Sequence, residues 1–99
     1  TEITQEDFLN EIKNTPVEYS LKLSEASMNK VKAYADYKYR LTFLVWHPVG
    51  KTIIGHIYYY TNDKDLAKTA KDSKVTINGV LDSYTSGPVT VDFNVVEQK

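Results

Sequence analysis

The amino-acid sequence predicts an α+β domain that is mostly β-structure and begins with a helix. Residue types that favour strands are abundant, with eight tyrosines among 99 residues and many valines, isoleucines and threonines. Several stretches also alternate apolar and polar residues with the period of two that marks a half-buried strand. A chain of this length buries about two-thirds of its unfolded surface, enough for one core. Residues 1–99 are therefore expected to form one domain.

The first 15 residues predict an N-terminal helix. Thr4 and Asp7 form an acidic variant of the capping box, and the apolar residues of segment 4–14 fall on one stripe. Thr15 precedes a proline, which drives its backbone towards extended geometry and ends the helix.

Residues 16–97 predict a β-rich core that opens with two alternating stretches. Residues 17–23 alternate strictly and predict the first strand. Residues 31–46 keep apolar or small side chains at eight consecutive odd positions, which predicts a long second strand. Segment 24–35 is open to a second interpretation, because a short helix there would be capped by Ser24 and would align Met28, Val31 and Ala35.

A hairpin follows the long second strand. Residues 47–51 contain a proline and a glycine and predict a turn, and residues 52–61 predict a third strand. Gly55 within this strand indicates a bulge or a close backbone approach. If Trp46 faces Thr52 across the turn, the pairs along one face of the hairpin are Leu44–Ile54, Thr42–His56, Arg40–Tyr58 and Lys38–Tyr60.

The second half of the chain begins with a helix predicted over residues 62–72, where Asn62 caps the start and Asp65 occupies the N3 position. Asn78-Gly79 inside the next strand indicates either a two-residue hairpin turn or a bulge. The remaining elements are a strand at 74–84, a turn at 85–88 and a final strand at 89–96.

After the leading helix, the element order is that of the OB-fold, in which a helix lies between strands three and four. Residues 63–97 resemble the closing half of small bacterial OB-fold domains, where a short helix leads into a V-T-x-x-G strand, here Val75 to Gly79. The resemblance implies a five-stranded barrel whose second and third strands carry the binding surface. If segment 24–35 is helical, the order instead becomes that of a ferredoxin-like α+β sandwich.

The net charge of −1 is unevenly distributed along the chain. Residues 1–29 carry −4, residues 30–60 carry +4 and residues 61–99 carry −1. The positive charge is therefore concentrated in the predicted second strand and hairpin, and this asymmetry points to a charged or polar partner.

Several chemistries have no support in the sequence. Without cysteine there is no disulfide, thiol nucleophile or cysteine zinc site. His47 and His56 are nine residues apart with no carboxylate at ligand spacing. No serine lies in a nucleophile elbow, and Gly50-Lys51 lacks the upstream glycine of a P-loop. We therefore expect a protein that is not an enzyme and uses no metal or cofactor.

The even-numbered face of the hairpin is the candidate site. Its far end combines cations, which attract phosphate, with flat rings on which unpaired bases stack. This combination predicts binding of single-stranded nucleic acid, and the apolar end near the turn adds a tryptophan. The candidate ligand-binding residues are Lys32, Tyr34, Lys38, Arg40, Trp46, His56, Tyr58 and Tyr60.

A protein partner is the alternative, because Trp, Tyr and Arg are enriched at interface hot spots. Trp46 and the 47–51 turn would then act as a protein-interaction or inhibitory module. A purely structural interpretation is also open, since cross-strand pairs of cations and tyrosines stabilise a sheet without any ligand. The apolar end would then pack beneath the N-terminal helix.

Composition also bears on partners and location. No apolar run approaches the 18 residues that a membrane span needs, and the first residues do not form a secretory signal. A chain without cysteine fits the cytoplasm, and an exported mature domain fits as well. The sequence leaves the oligomeric state open.

Overall fold

The computed structural model of the protein describes residues 16–47, 49–50 and 52–98. The helix predicted over residues 4–14 lies outside the described residues. The elements are β1 (Pro16–Met28), β2 (Tyr39–Trp46), β3 (Ile53–Thr61), a short helix α1 (Lys64–Ala67), β4 (Lys74–Ser86) and β5 (Val91–Glu97).

The five strands form one closed barrel in the order β1-β2-β3-β5-β4, with β4 returning to β1. Every neighbouring pair is antiparallel except β3 and β5, which run parallel. Closure gives every strand a neighbour on each side, so the ring has no edge strand of the kind that ends an open sheet. The predicted mostly-β architecture with five strands is confirmed.

The barrel interior holds the hydrophobic core. Alternate residues of each strand point inwards, as Leu41 and Phe43 do in β2. Leu66 of α1 packs against the core. The buried cluster consists of Leu23, Leu41, Phe43, Tyr59, Val75, Ile77, Leu81 and Val95.

Two glycines lie where strands approach closely. Gly55 confirms the predicted close approach, because a Cβ atom there would collide with the carbonyl of Val91 on β5. At Gly79 a Cβ atom would lie 2.5 Å from the Val96 carbonyl oxygen and 2.6 Å from Val95 Cγ1. The predicted turn or bulge at Asn78-Gly79 is wrong, because β4 runs through both residues without a shift in register.

The segment between β1 and β2 differs most from expectation. β1 continues to Met28 after a bulge between Leu23 and Glu25. Residues Lys32–Tyr34 form a single 3₁₀ turn, and β2 begins only at Tyr39. Both interpretations of segment 24–35, the helix and the strand from residue 31, are therefore wrong. The ferredoxin-like element order is wrong as well, because it required that helix.

Asn29 explains why this segment is not a strand despite its alternating pattern. Its side-chain Nδ2 donates to the carbonyls of Tyr34 and Tyr37 at 2.7 and 3.0 Å. Its Oδ1 accepts from the backbone N–H of Val31 at 2.9 Å. These bonds satisfy backbone groups that a ladder would otherwise pair, so they stabilise a compact loop instead of a strand.

The helix after β3 is shorter than predicted and starts one residue later. Asp63 is the N-cap, and its side chain accepts from the backbone N–H groups of Asp65 and Leu66. Asn62 does not cap the helix because its side chain bridges to the preceding loop, accepting from Lys38 N at 2.8 Å and donating to Asp36 O at 3.1 Å.

The hairpin of β2 and β3 has a different register from the predicted one. Arg40 lies opposite Tyr60, Thr42 opposite Tyr58 and Leu44 opposite His56, whereas Trp46 lies opposite Ile53. The pairing moves by one residue at the turn, where Trp46 meets Ile53 instead of Thr52, and by one more at the bulge between Val45 and Trp46. Because the displacement is two residues, the even-numbered side chains still share one face.

Candidate ligand-binding face

The outer surface of β2, β3 and β5 carries the polar and aromatic side chains singled out by the sequence. We call this surface the outer face. It joins Arg40 of β2, the even-numbered side chains of β3 and two polar residues of β5. Its members are Arg40, His56, Tyr58, Tyr60, Asp92 and Asn94.

Arg40, Tyr58 and His56 form a row across the outer face. The Arg40 guanidinium carbon lies 4.6 Å from the centroid of the Tyr58 ring, a distance at which a cation is attracted to an aromatic face. The His56 ring lies 5.7 Å from that of Tyr58 at an interplanar angle of 6°. Arg40 Nε is buried and has no hydrogen-bond partner among the described residues.

His56 also pairs with Asp92 of the neighbouring strand. The two residues lie opposite each other in the parallel β3–β5 ladder, and His56 Nδ1 is 2.7 Å from Asp92 Oδ1. This bond orients the imidazole and directs Nε2 away from the carboxylate. The Asp92 carboxylate in turn accepts a hydrogen bond from the His56 ring.

At the other end of the outer face, Tyr34 lies flat on Tyr60. The ring centroids are 4.2 Å apart and the planes differ by 16°, which is a stacked arrangement. Tyr60 is only 2% exposed although it points away from the barrel core. The sequence placed Tyr34 on the long second strand, on the same face as Tyr60 but with Lys38 as the partner of Tyr60. In the structure it reaches Tyr60 from the loop between β1 and β2.

A chain of hydrogen bonds connects the stacked tyrosines to β4 and β5. Tyr60 donates to Asn94 Oδ1 at 3.2 Å, and Asn94 Nδ2 donates to Ser83 Oγ at 3.0 Å. Ser83 Oγ lies 2.8 Å from the Tyr34 hydroxyl, which donates to Asp82 Oδ2 at 2.6 Å. Every link therefore has a donor and an acceptor, and the chain ends on a carboxylate.

A bulge in β4 brings Asp82 and Ser83 to this chain together. Consecutive residues of a regular strand point to opposite faces. Here the register shifts between Leu81 and Ser83, and both Asp82 and Ser83 reach the Tyr34 hydroxyl. Bulges redirect side chains in this way and are frequent beside functional sites.

The tyrosines of the outer face are held in the neutral form. Burial, reinforced by the hydrogen bond to Asp82, raises the pKa of Tyr34 to about 12. Burial also raises the pKa of Tyr58 and of Tyr60, while the nearby Arg40 charge acts in the opposite direction on both. Tyr34 therefore remains a hydrogen-bond donor at neutral pH.

Five of the eight predicted site residues come together on or over the outer face: Tyr34, Arg40, His56, Tyr58 and Tyr60. The other three do not. Lys32 lies in the 3₁₀ turn, Lys38 precedes β2, and Trp46 lies at the far end of β2, roughly 20 Å along the strand from Arg40.

The apolar end of the hairpin is exposed. Trp46 is 52% exposed, Ile54 39% and Val49, within the turn, 76%. A groove adjoins this end, and its lining is mixed: Leu23, Leu44 and Trp46 together with Lys22, Ser24, Lys71 and Asp72. The structure leaves these large apolar side chains in contact with water, as binding surfaces do.

Sequence reasoning missed four polar residues of the site: Asp82, Ser83, Asp92 and Asn94. Asp92 and Asn94 were recognisable as the polar, outward positions of the alternating final strand. The bulge that redirects Asp82 and Ser83 had no local signal. For neither pair did the sequence indicate which residues it would contact, since the contacting residues lie far away along the chain.

Comparison of the chain with protein-family models, with curated proteins and with solved structures gave no match. Within the described residues, no group of three or more His, Cys, Asp or Glu side chains is placed to hold a metal ion. No helix of the described part of the chain is long and apolar enough to cross a membrane.

Proposed function

We propose that the protein is an OB-like barrel and a non-catalytic module that binds single-stranded nucleic acid on the outer face. The observation that carries this proposal is the row of Arg40, Tyr58 and His56 across β2 and β3. The closed ring of five strands, with α1 between β3 and β4, supports the OB assignment. In that fold the surface of strands two and three binds oligonucleotides.

The chemistry of the row suits a phosphodiester chain with unpaired bases. A guanidinium held against a ring keeps its planar fork in a fixed orientation, which matches phosphate geometry. The rings of Tyr58 and His56 supply flat surfaces for bases, whose stacking contributes about 1–3 kcal/mol each. Repulsion from Asp82 and Asp92 is reduced, since each carboxylate already accepts a hydrogen bond.

Three further cations lie outside the outer face, on the loop that leads into β2. Lys30, Lys32 and Lys38 are all exposed, and the stacked Tyr34 ring ties this loop to β3. Exposed lysines attract a polyanion without selecting its sequence. We therefore expect weak and largely sequence-independent binding.

The test measures the fluorescence anisotropy of a short labelled oligothymidylate over a range of salt concentrations. The logarithm of the binding constant should fall linearly with the logarithm of salt concentration, with a slope of about −0.7 for each phosphate contacted. Arg40→Ala should weaken binding by about tenfold, since it removes both the charge and the stacked guanidinium.

Two variants serve as matched controls. Arg40→Lys keeps the charge and loses the planar fork, so it should fall between wild type and Arg40→Ala. Lys74→Ala removes an exposed cation at the start of β4, opposite Lys22 and away from the outer face, and should bind as wild type does. Binding that is insensitive to salt, or equal in Arg40→Ala and wild type, would contradict the proposal.

A protein partner is the second candidate, favoured by the exposure of Trp46, Val49 and Ile54. Tryptophan in an accessible apolar patch is a frequent interface hot spot. A photo-crosslinking residue at position 49 would capture the partner, and Trp46→Ser should then abolish binding of the purified partner. Under the nucleic-acid proposal, Trp46→Ser leaves oligonucleotide affinity unchanged and Arg40→Ala lowers it, so the two variants separate the candidates.

A further inference from the structure

We propose that Tyr34 occupies a nucleobase subsite in the free protein, and that a guanine base replaces it on Tyr60. This inference rests on the proposed function and deepens it, because it names a base and the residues that would read it. The subsite consists of the Tyr60 ring as floor and of Asp82, Ser83 and Asn94 as its polar wall.

The stacking geometry is the first argument. Tyr34 lies 4.2 Å above Tyr60 with planes 16° apart, as an unpaired base lies on an aromatic platform. The position of Tyr60 is fixed, because its strand is paired on both sides at this residue, with Arg40 of β2 and Val96 of β5. Moving the Tyr34 ring away would uncover a fixed aromatic surface of the size of a base.

The edge of the Tyr34 ring provides the second argument. Its hydroxyl meets Asp82 Oδ2 at 2.6 Å and Ser83 Oγ at 2.8 Å. A guanine in the same plane offers two adjacent donors, its ring N–H and its exocyclic amino group, to one carboxylate. Uracil offers a single N–H between two carbonyl oxygens, which a carboxylate repels. Paired donors facing a carboxylate form strong charge-assisted hydrogen bonds, so the subsite should prefer guanine to uracil.

The third argument is that the ring can leave without unfolding its loop. The loop backbone is held by Asn29, which donates to the carbonyls of Tyr34 and Tyr37, and by Asn62, which donates to the Asp36 carbonyl. None of these bonds involves the Tyr34 ring. A change in the χ1 angle of Tyr34 therefore opens the subsite while the backbone stays in place.

The experiment titrates guanosine monophosphate and uridine monophosphate into wild type, Tyr34→Ala and the double variant Tyr34→Ala/Asp82→Asn. NMR signals of the Tyr60 ring and the Asn94 side-chain amide report occupation of the subsite. Tyr34→Ala should bind guanosine monophosphate about tenfold more tightly than wild type, because no ring has to be displaced. Adding Asp82→Asn should remove the preference for guanosine over uridine monophosphate.

Tyr37→Ala is the matched control, since it deletes a half-buried tyrosine of the same loop and should bind as wild type does. Equal binding by folded Tyr34→Ala and wild type would overturn the inference. So would nucleotide-induced shifts of other NMR signals that leave those of the Tyr60 ring and the Asn94 amide unchanged. If Tyr34→Ala does not fold, nuclear Overhauser effects between the Tyr34 and Tyr60 rings of wild type decide. Saturating guanosine monophosphate should abolish them, and their persistence at saturation would refute the exchange.

Oligonucleotides separate this inference from the proposed function. If guanosine monophosphate occupies the subsite of Tyr34→Ala while no oligonucleotide binds any variant, the subsite takes free nucleotides and the nucleic-acid proposal fails. If oligonucleotides bind with the expected dependence on Arg40, but guanine-rich and thymine-rich strands bind Tyr34→Ala equally, the nucleic-acid proposal stands and the subsite is refuted.

Discussion

Replacing Gly79 by alanine tests the close approach of strands that the barrel requires. The added Cβ atom would lie 2.5 Å from the Val96 carbonyl oxygen, 2.6 Å from Val95 Cγ1 and 3.0 Å from Tyr59 Cε1. The first of these is backbone in a paired strand, so no side-chain rotation relieves the contact. Overpacking of a core costs about 1–3 kcal/mol, and a clash with backbone belongs at the upper end. We therefore expect Gly79→Ala to lower the free energy of unfolding by about 3 kcal/mol.

Urea denaturation followed by circular dichroism measures this change, with the slope of the transition expected to stay the same. Gly87→Ala is the control, because the nearest atom to its Cβ would be the Thr90 carbonyl oxygen at 3.4 Å, an ordinary contact. It should unfold within about 0.5 kcal/mol of wild type. A Gly79→Ala protein as stable as Gly87→Ala would refute the packing of β4 against β5 and Tyr59.

Three further predictions concern the loop and its anchors. Asn29→Ala removes three hydrogen bonds to the loop backbone and should cost about 2 kcal/mol, with faster amide exchange at Val31. Thr61→Val should also cost about 2 kcal/mol in urea denaturation, because the buried hydroxyl donates to Glu97 and accepts from Asp63 N; the exposed Thr76→Val should be near neutral. The pKa of Tyr34 is raised to about 12 in the folded protein, so its neutral side chain stabilises the fold. This stabilisation is fully present below the ordinary pKa near 10 and is lost as pH rises through 12. Urea midpoints should therefore fall over that range, and less steeply in Tyr34→Phe; an equal fall would contradict the raised pKa that burial and the hydrogen bond to Asp82 give Tyr34.

The composition of the outer face was predictable because strand periodicity is local. Alternation places residues 56, 58 and 60 on one face of β3, and any register that differs by an even number of residues keeps them beside Arg40 of β2. The register was not predictable, since the turn and the Val45–Trp46 bulge each moved the pairing by one residue. The even displacement kept the predicted face intact, whereas a shift of one residue would have turned β3 over.

The alternation of residues 31–38 misled the prediction for a related reason. A period of two indicates a strand only where backbone partners are available. Here the extended β1, which runs to Met28, is the strand that pairs with the start of β2. The Asn29 side chain forms hydrogen bonds with the backbone of Val31 and Tyr34. The hydrogen bonds of the Asn29 side chain, which replace strand pairing here, leave no trace in the apolar–polar alternation of the sequence.

The sequence by itself determined the mostly-β class, the presence of a connection between β2 and β3, and the inward and outward faces of β2, β3 and β5; the turn predicted at 85–88 lies two residues later, between Ser86 and Val91. These depend on residue preferences and on spacing within one segment. The tertiary structure alone decided that Tyr34 covers Tyr60, that His56 meets Asp92, and that the Tyr34 hydroxyl donates to Asp82. Each of these contacts joins residues at least 26 positions apart, and only closure of the barrel and the β4 bulge bring them together.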